Sequence, residues 1–189
     1  VFHAGTMSSL LVSFAPTIIL AVGMTIVIVS GGIDLSVGAV VAVTSVAGVM
    51  LMNIGLNGWV AIVLMIVFGA VFGTISGVLI QYFNVQPFIA TLAMMFLARG
   101  LASILSTVPV HAPDDSPIHL IATDIKIIDG PKVNDLVLTP GFFIAVVVVV
   151  AVAFFMHRTR TGRTVYAIGG VESSAKLMGL PVARTRVLI

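Results

Sequence analysis

The run from Leu10 to Met52 constrains this chain more than any other stretch. It reads "LLVSFAPTIILAVGMTIVIV", then "SGGID", then "LSVGAVVAVTSVAGVMLM". A single α-helix over that run would be about 64 Å long, roughly twice the hydrocarbon core of a bilayer. The run must break, and residues 30–34, with two glycines and a carboxylate, are the place that offers it. The sequence therefore predicts one helix over 10–29, a break, and a second over 35–52.

Three further apolar runs of similar length follow, at 59–80, 88–105 and 140–156. Each of the five would span about 25–33 Å as a helix, enough to cross a membrane with modest tilt. None shows the alternation of a barrel strand. Only 8% of the residues are charged, against about 25% in a soluble domain, so this chain could not cover its surface in water. The expected fold is all-α: a polytopic transmembrane helix bundle of about five spans, with residues 1–189 as a single transmembrane domain. The chain starts without Met and ends in "RTRVLI", which reads as the start of another span. It is thus expected to be an internal piece of a longer protein.

Charge orients the bundle. Residues 106–139 hold Asp114, Asp115, Asp124, Asp129 and Asp135 against Lys126 and Lys132. Residues 157–189 hold Arg158, Arg160, Arg163, Lys176, Arg184 and Arg186 against Glu172. Lys and Arg gather on the cytoplasmic side, which puts the C-terminal segment (157–186) inside and the acidic loop (106–139) outside. Counting back, 81–87 is inside, 53–58 outside, and 30–34 inside or dipping in from that side.

Several residues carry more than one reading. Gly31 is suited to end the first helix in the left-handed conformation, and Asp34 to N-cap the second by accepting backbone N–H groups. Asp34 also qualifies for a substrate pathway, because ionisable groups at membrane depth line cavities and broken helices hold transporter sites; Gly31, Gly32 and Ser36 go with it. The two roles are compatible. Gly69, Gly73 and Gly77 recur every four residues and make a face for close helix packing, with a flexible gating face as the alternative. Arg99 either snorkels to the outer interface or faces the pathway. His111, Asp114, Asp115 and His119 match no metal-ligand spacing, so no metal site is expected. Cysteine is absent, and so are the nucleotide-phosphate loop, the zinc-protease and the nucleophile-elbow motifs. No catalytic residue and no cofactor of this chain's own is expected.

In "HRTRTGRTVYAIGGVESSAKLMGLPVARTR" a short helix is expected over 171–178. Gly170 is its N-cap, Glu172 and Lys176 an i,i+4 pair, and Gly179 with Pro181 its stop. Val171, Ala175 and Met178 would form an apolar stripe between basic flanks. Such a segment either lies on anionic headgroups or docks in a groove of a cytoplasmic partner.

Three stretches, "GMTIVIVSGGIDLSVGAVVAV", "QPFIATLAMMFLARGLA" and "HRTRTGRTVYAIGGVESSAKLMGL", resemble the permease subunits of bacterial ABC-type monosaccharide importers. That group handles ribose, xylose, galactose and galactofuranose, and the third stretch looks closest to the galactofuranose type. The resemblance runs over nearly all of the chain and is weakest in the acidic loop. It implies a multi-pass subunit of the bacterial inner membrane that pairs with a second permease, identical or paralogous. It also implies a cytoplasmic ATPase that binds the ATP and a periplasmic sugar-binding protein that docks outside. Members have roughly ten spans, so this chain would cover about the second to the sixth and the coupling loop. Importer permeases carry an E-A-A-x-x-x-G signature on the cytoplasmic side. Here Ala175 and Gly179 align with its second alanine and its glycine, Ser174 replaces its first alanine, and Glu172 sits one position early. By that resemblance Gly170, Glu172, Ala175, Lys176, Met178 and Gly179 are the ATPase-coupling residues. Two rival readings are an ion-coupled secondary transporter with Asp34 as the ion site, and a membrane scaffold that transports nothing.

Overall fold

A computed structural model describes residues 4–128 and 136–189. Asp129, Lys132 and Asp135 of the acidic loop therefore lie outside the described residues. Among the described residues four helices are long and apolar enough to cross a membrane: α1 (Ala4–Val29), α3 (Gly58–Tyr82), α4 (Pro87–Leu105) and α6 (Pro140–Arg158). The remaining expected span is α2 (Val37–Asn53), a shorter apolar helix of 17 residues, about 26 Å long. The structure is a bundle of apolar helices, as the run lengths require.

The break after α1 is a Schellman turn. Gly31 has φ +81°, its N–H donates to the Ile28 carbonyl at 3.0 Å, and the Gly32 N–H donates to the Val27 carbonyl at 3.0 Å. A residue without a Cβ takes that left-handed backbone at no steric cost. The Val27 and Ile28 carbonyls, which lose their helical partners at the break, are thereby satisfied inside the chain, which matters where water is scarce.

Helix packing follows small side chains. Ala39 and Val43 of α2 bury against Ala98 of α4, with Phe72 of α3 and Met95 beside them. Alanine at such contacts lets two backbones approach, and close van der Waals packing is what associates helices in lipid. By contrast Val63, Ile66, Val147, Val150 and Phe154 are exposed, as an exterior that faces acyl chains would be.

The acidic loop has more structure than expected. It contains α5 (Pro117–Ala122) and an antiparallel pair, β1 (Ile125–Ile128) and β2 (Leu136–Leu138). The hairpin leans on α1, where the Val137 N–H donates to Ser8 Oγ at 2.9 Å. The α2–α3 turn meets the start of this loop: the Asn53 amide donates to the His111 carbonyl at 3.2 Å, and the Ser116 hydroxyl points at Met52 Sδ, 3.2 Å away. The two segments that charge counting puts on one side thus lie together on one end of the bundle.

The basic C-terminal segment is mostly helical rather than a loop with one short helix. α7 (Arg160–Leu177) starts right after α6, with Thr159 Oγ1 accepting from the Gly162 N–H at 3.0 Å. Its backbone breaks at Val171 (φ −143°, ψ 102°). The second half therefore begins one residue later than a Gly170 N-cap would place it. α8 (Val182–Leu188) follows.

Candidate functional site

The break at 30–34 opens on a cavity of about 90 Å³. Gly31, Gly32 and Asp34 line it from the break, Gly73, Ser76 and Gly77 from α3, and Pro87 and Thr91 from the start of α4. Arg186 reaches it from α8. A water needs about 10–15 Å³ of such space, so the cavity suits several waters. Pockets that hold small molecules run to roughly 300–1,000 Å³. The cavity is smaller than such pockets.

Asp34 does not cap α2. That helix starts at Val37, so the N-cap position belongs to Ser36, two residues beyond the carboxylate. Asp34 Oδ1 instead accepts the Ser36 N–H at 2.7 Å and the Ser36 hydroxyl at 2.6 Å. This is an Asx turn, in which a short side chain bonds the backbone two residues on. It leaves Ser36 buried behind Asp34 rather than lining the cavity. On the far side Thr91 Oγ1, buried in α4, lies 3.2 Å from the Ile33 carbonyl and 2.9 Å from the Pro87 carbonyl. The break is thus pinned to α4 through a hydroxyl.

Arg99 is not part of this site. It lies on α4 eight residues beyond Thr91, about 12 Å along the helix, and is exposed. The glycine face is used at one end. A Cβ on Gly77 would stand 2.9 Å from the Val187 Cα, whereas Gly69 and Gly73 have nothing within 4 Å among the described residues. α8 is a short helix that crosses α3 at one level, so only the glycine at that level packs against it.

The segment from Glu172 to Gly179 stands at the same end of the bundle. Glu172 Oε1 is 2.8 Å from Lys176 Nζ, the expected i,i+4 pair. Its carboxylate also accepts from Arg186, at 2.6 Å from Nη2 and 3.3 Å from Nη1. Hydrogen bonds from Lys176, then Arg186, hold the Glu172 carboxyl below its ordinary value. Gly179 closes the helix with φ +74°, its N–H donating to the Lys176 carbonyl and that of Leu180 to the Ala175 carbonyl. This second Schellman turn brings the C″ residue onto the C3 position, and Leu180 packs beside Ala175.

The expected apolar stripe is not a single face. Ala175 is fully buried against Ile168 and Val182, while Val171 sits in the backbone break and Met178 in the cap. The exposed apolar tip is made by Leu177 at 89% and Met178 at 67% exposure. Ala175 thus serves the packing beneath the tip, and Leu177, missing from the expected set, supplies its most exposed side chain. Gly170 is exposed and open. Its neighbour Gly169 lies so close to the Val29 carbonyl that no Cβ would fit. α7 therefore crosses the end of α1 one residue before the break begins.

Arg186, Gly169, Ser76 and Thr91 were not singled out by sequence. Arg186 is fourteen residues from Glu172, across a turn, beyond any local pairing rule. Thr91 lies in one of the stretches that carry the resemblance, but nothing local marks its hydroxyl as the tie to the break.

Residues 6–189 match the family described as the branched-chain amino acid transport system / permease component. The chain is 56% identical to the fructose import permease protein FruG of Bifidobacterium longum over 98% of its own length and 55% of that protein. It is 41% identical to the inner membrane ABC transporter permease protein YjfF of Escherichia coli, covering 90% of this chain and 50% of that one. To the ribose import permease protein RbsC of Escherichia coli it is 34% identical, with 90% and 52% covered. The chain thus spans about half the length of the curated relatives it matches. No solved structure matches. These relatives are named as transport components rather than enzymes, and the apolar helices suit a bilayer. The chain belongs to this permease-component family and is a multi-pass protein of the bacterial inner membrane.

Proposed function

We propose that this chain is part of the membrane-spanning subunit of an ATP-binding-cassette importer that carries a monosaccharide inward. The observation that carries the reading is the α7 tip. Leu177 and Met178 expose apolar side chains beyond a well-capped helix, at the end of the bundle where Arg and Lys concentrate. Such a tip suits a groove on a partner, and a cytoplasmic ATPase of the importer is that partner. ATP is bound there, and this chain needs no cofactor of its own.

Closure of the ATPase would press on residues 171–179. The tip is fastened to α8 through Glu172 and Arg186, and α7 rests on the end of α1 at Gly169. Movement of the tip thus reaches the cavity at 30–34 through Arg186, which lines it. The opposite end, with the α2–α3 turn and residues 106–139, is the place for a periplasmic sugar-binding protein to dock. A second permease copy or paralogue would complete the pathway. The cavity at Asp34 is smaller than ordinary small-molecule pockets, which suits a transient passage, with selectivity residing in the binding protein. Identity does not sort the sugars: the chain is 56% identical to one fructose import permease, 30% to another and 34% to a ribose one, so the substrate class is a monosaccharide. Nothing in the structure favours galactofuranose in particular. Membership of the permease-component family removes the ground for Asp34 as the ion site of a secondary transporter, and for an inert scaffold.

Affinity capture of the full-length protein tests the reading. An ATPase and a periplasmic binding protein should come with it, and the vesicle-reconstituted assembly should import a monosaccharide only with ATP. Uptake that persists without ATP and collapses with the ion gradient would overturn it.

A further inference from the structure

The second half of α7 is not a rigid continuation of the first. Val171 is extended, so the hydrogen-bonded rod is interrupted between Gly170 and Glu172. Three connections remain below the tip: the turn at Gly179, the small apolar cluster of Ile168, Ala175 and Val182, and the Glu172–Arg186 ion pair. Of these, the ion pair alone is a directional link. Two parallel N–H to oxygen bonds fix orientation as well as distance, and the Arg186 side chain is only 25% exposed. Lys176 braces the same carboxylate from the solvent side, at 57% exposure.

Arg186 lines the cavity with Asp34, and among the lining residues these two are the charged ones. The next residue, Val187, seats its main chain on Gly77 of α3. A displacement of Glu172 therefore acts within one residue of the α3–α8 crossing and at the wall of the cavity.

We propose that the Glu172–Arg186 ion pair transmits movement of the α7 tip to the cavity, making Arg186 a positioning residue for transport. The proposal rests on the importer reading above. Glu172→Gln and Arg186→Gln remove the charged pair, and the exchange Glu172→Arg with Arg186→Glu restores it in reverse. All three are made in the full-length chain, reconstituted with its ATPase and binding protein, and both sugar uptake and ATP hydrolysis are measured.

Each single variant should import about three- to tenfold less sugar per ATP hydrolysed. The exchanged pair should recover most of that ratio. A ratio unchanged in both single variants overturns the proposal, because the apolar cluster then suffices. A loss that the exchange does not repair also overturns it, since each side chain then acts separately. Failure of the unsubstituted assembly to couple ATP to uptake would count against the importer reading, not against the pair.

Discussion

Gly169 and Val29 are in backbone contact: a side chain at Gly169 would run into the Val29 carbonyl oxygen. The crossing joins the basic C-terminal segment to the end of the first span, one residue ahead of the break. Because the obstacle is main chain, it cannot rotate aside as a side-chain tip would. Gly169→Ala should therefore destabilise the full-length protein by about 1–3 kcal/mol, the usual cost of overpacking. Thermal unfolding in detergent reads this directly. The neighbouring Gly170→Ala, which meets nothing within 4 Å, should cost far less.

Gly31 makes a different demand. A Cβ there meets nothing within 4 Å, but φ is +81°. The penalty for a side chain is conformational rather than steric contact with neighbours. Gly31→Ala should lower stability by about 1–2 kcal/mol, and Gly31→Asn, which tolerates the left-handed region better, should recover part of that loss. Equal losses in the two variants, measured by the same unfolding curve, would show that another constraint acts at this position.

The Asx turn at Asp34 needs an acceptor oxygen, which an amide also supplies. Asp34→Asn should keep the turn and its stability. Asp34→Ala should lose about 1.5–3 kcal/mol, the worth of a hydrogen bond to a charged acceptor. Uptake separates the two roles still open for this residue. Normal uptake in Asp34→Asn makes the residue a structural turn former, and lost uptake in a stable Asp34→Asn protein makes the charge part of the pathway.

The spans and the break were legible because bilayer thickness limits helix length, and "SGGID" is the one interruption in a run twice too long. Gly31 and Gly179 were legible as helix stops for the same local reason, and both adopt positive φ. The role of Asp34 was displaced by two residues, since an Asx turn and an N-cap draw on the same residue types. The first half of α7 was missed because "RTGRTVYAIGG" mixes glycine and β-branched residues without an apolar period. The inward turn of Ala175, the hairpin on α1 and the reach of Arg186 to Glu172 are set by contacts between distant segments. Local spacing carries no trace of them.

Glu172 predicts a pH dependence. Its carboxyl is held low by Lys176 and Arg186 in the folded protein, so the unfolded chain binds its proton more readily. The stabilisation is then fully present above the ordinary glutamate value of about 4.3 and disappears as pH falls through the lowered folded value. Amide hydrogen exchange over residues 172–188 should be slower in the unsubstituted protein than in Glu172→Gln at neutral pH. The two should converge in acid, below the folded value. A difference that persists at the lowest pH reached would remove the ion pair as its cause.

The central claim is that the tip between Glu172 and Gly179 couples an ATPase to sugar movement. Sugar uptake and ATP hydrolysis by the full-length assembly in vesicles, with Gly179→Trp beside Gly179→Asn, test it most directly. Asparagine tolerates the φ of +74° at Gly179 and keeps the tip, whereas tryptophan strains the turn and alters the docking surface beside Leu177 and Met178. Near-normal uptake is expected with asparagine, and with tryptophan a folded protein whose uptake no longer follows ATP hydrolysis. Normal ATP-driven uptake by the tryptophan variant would contradict it.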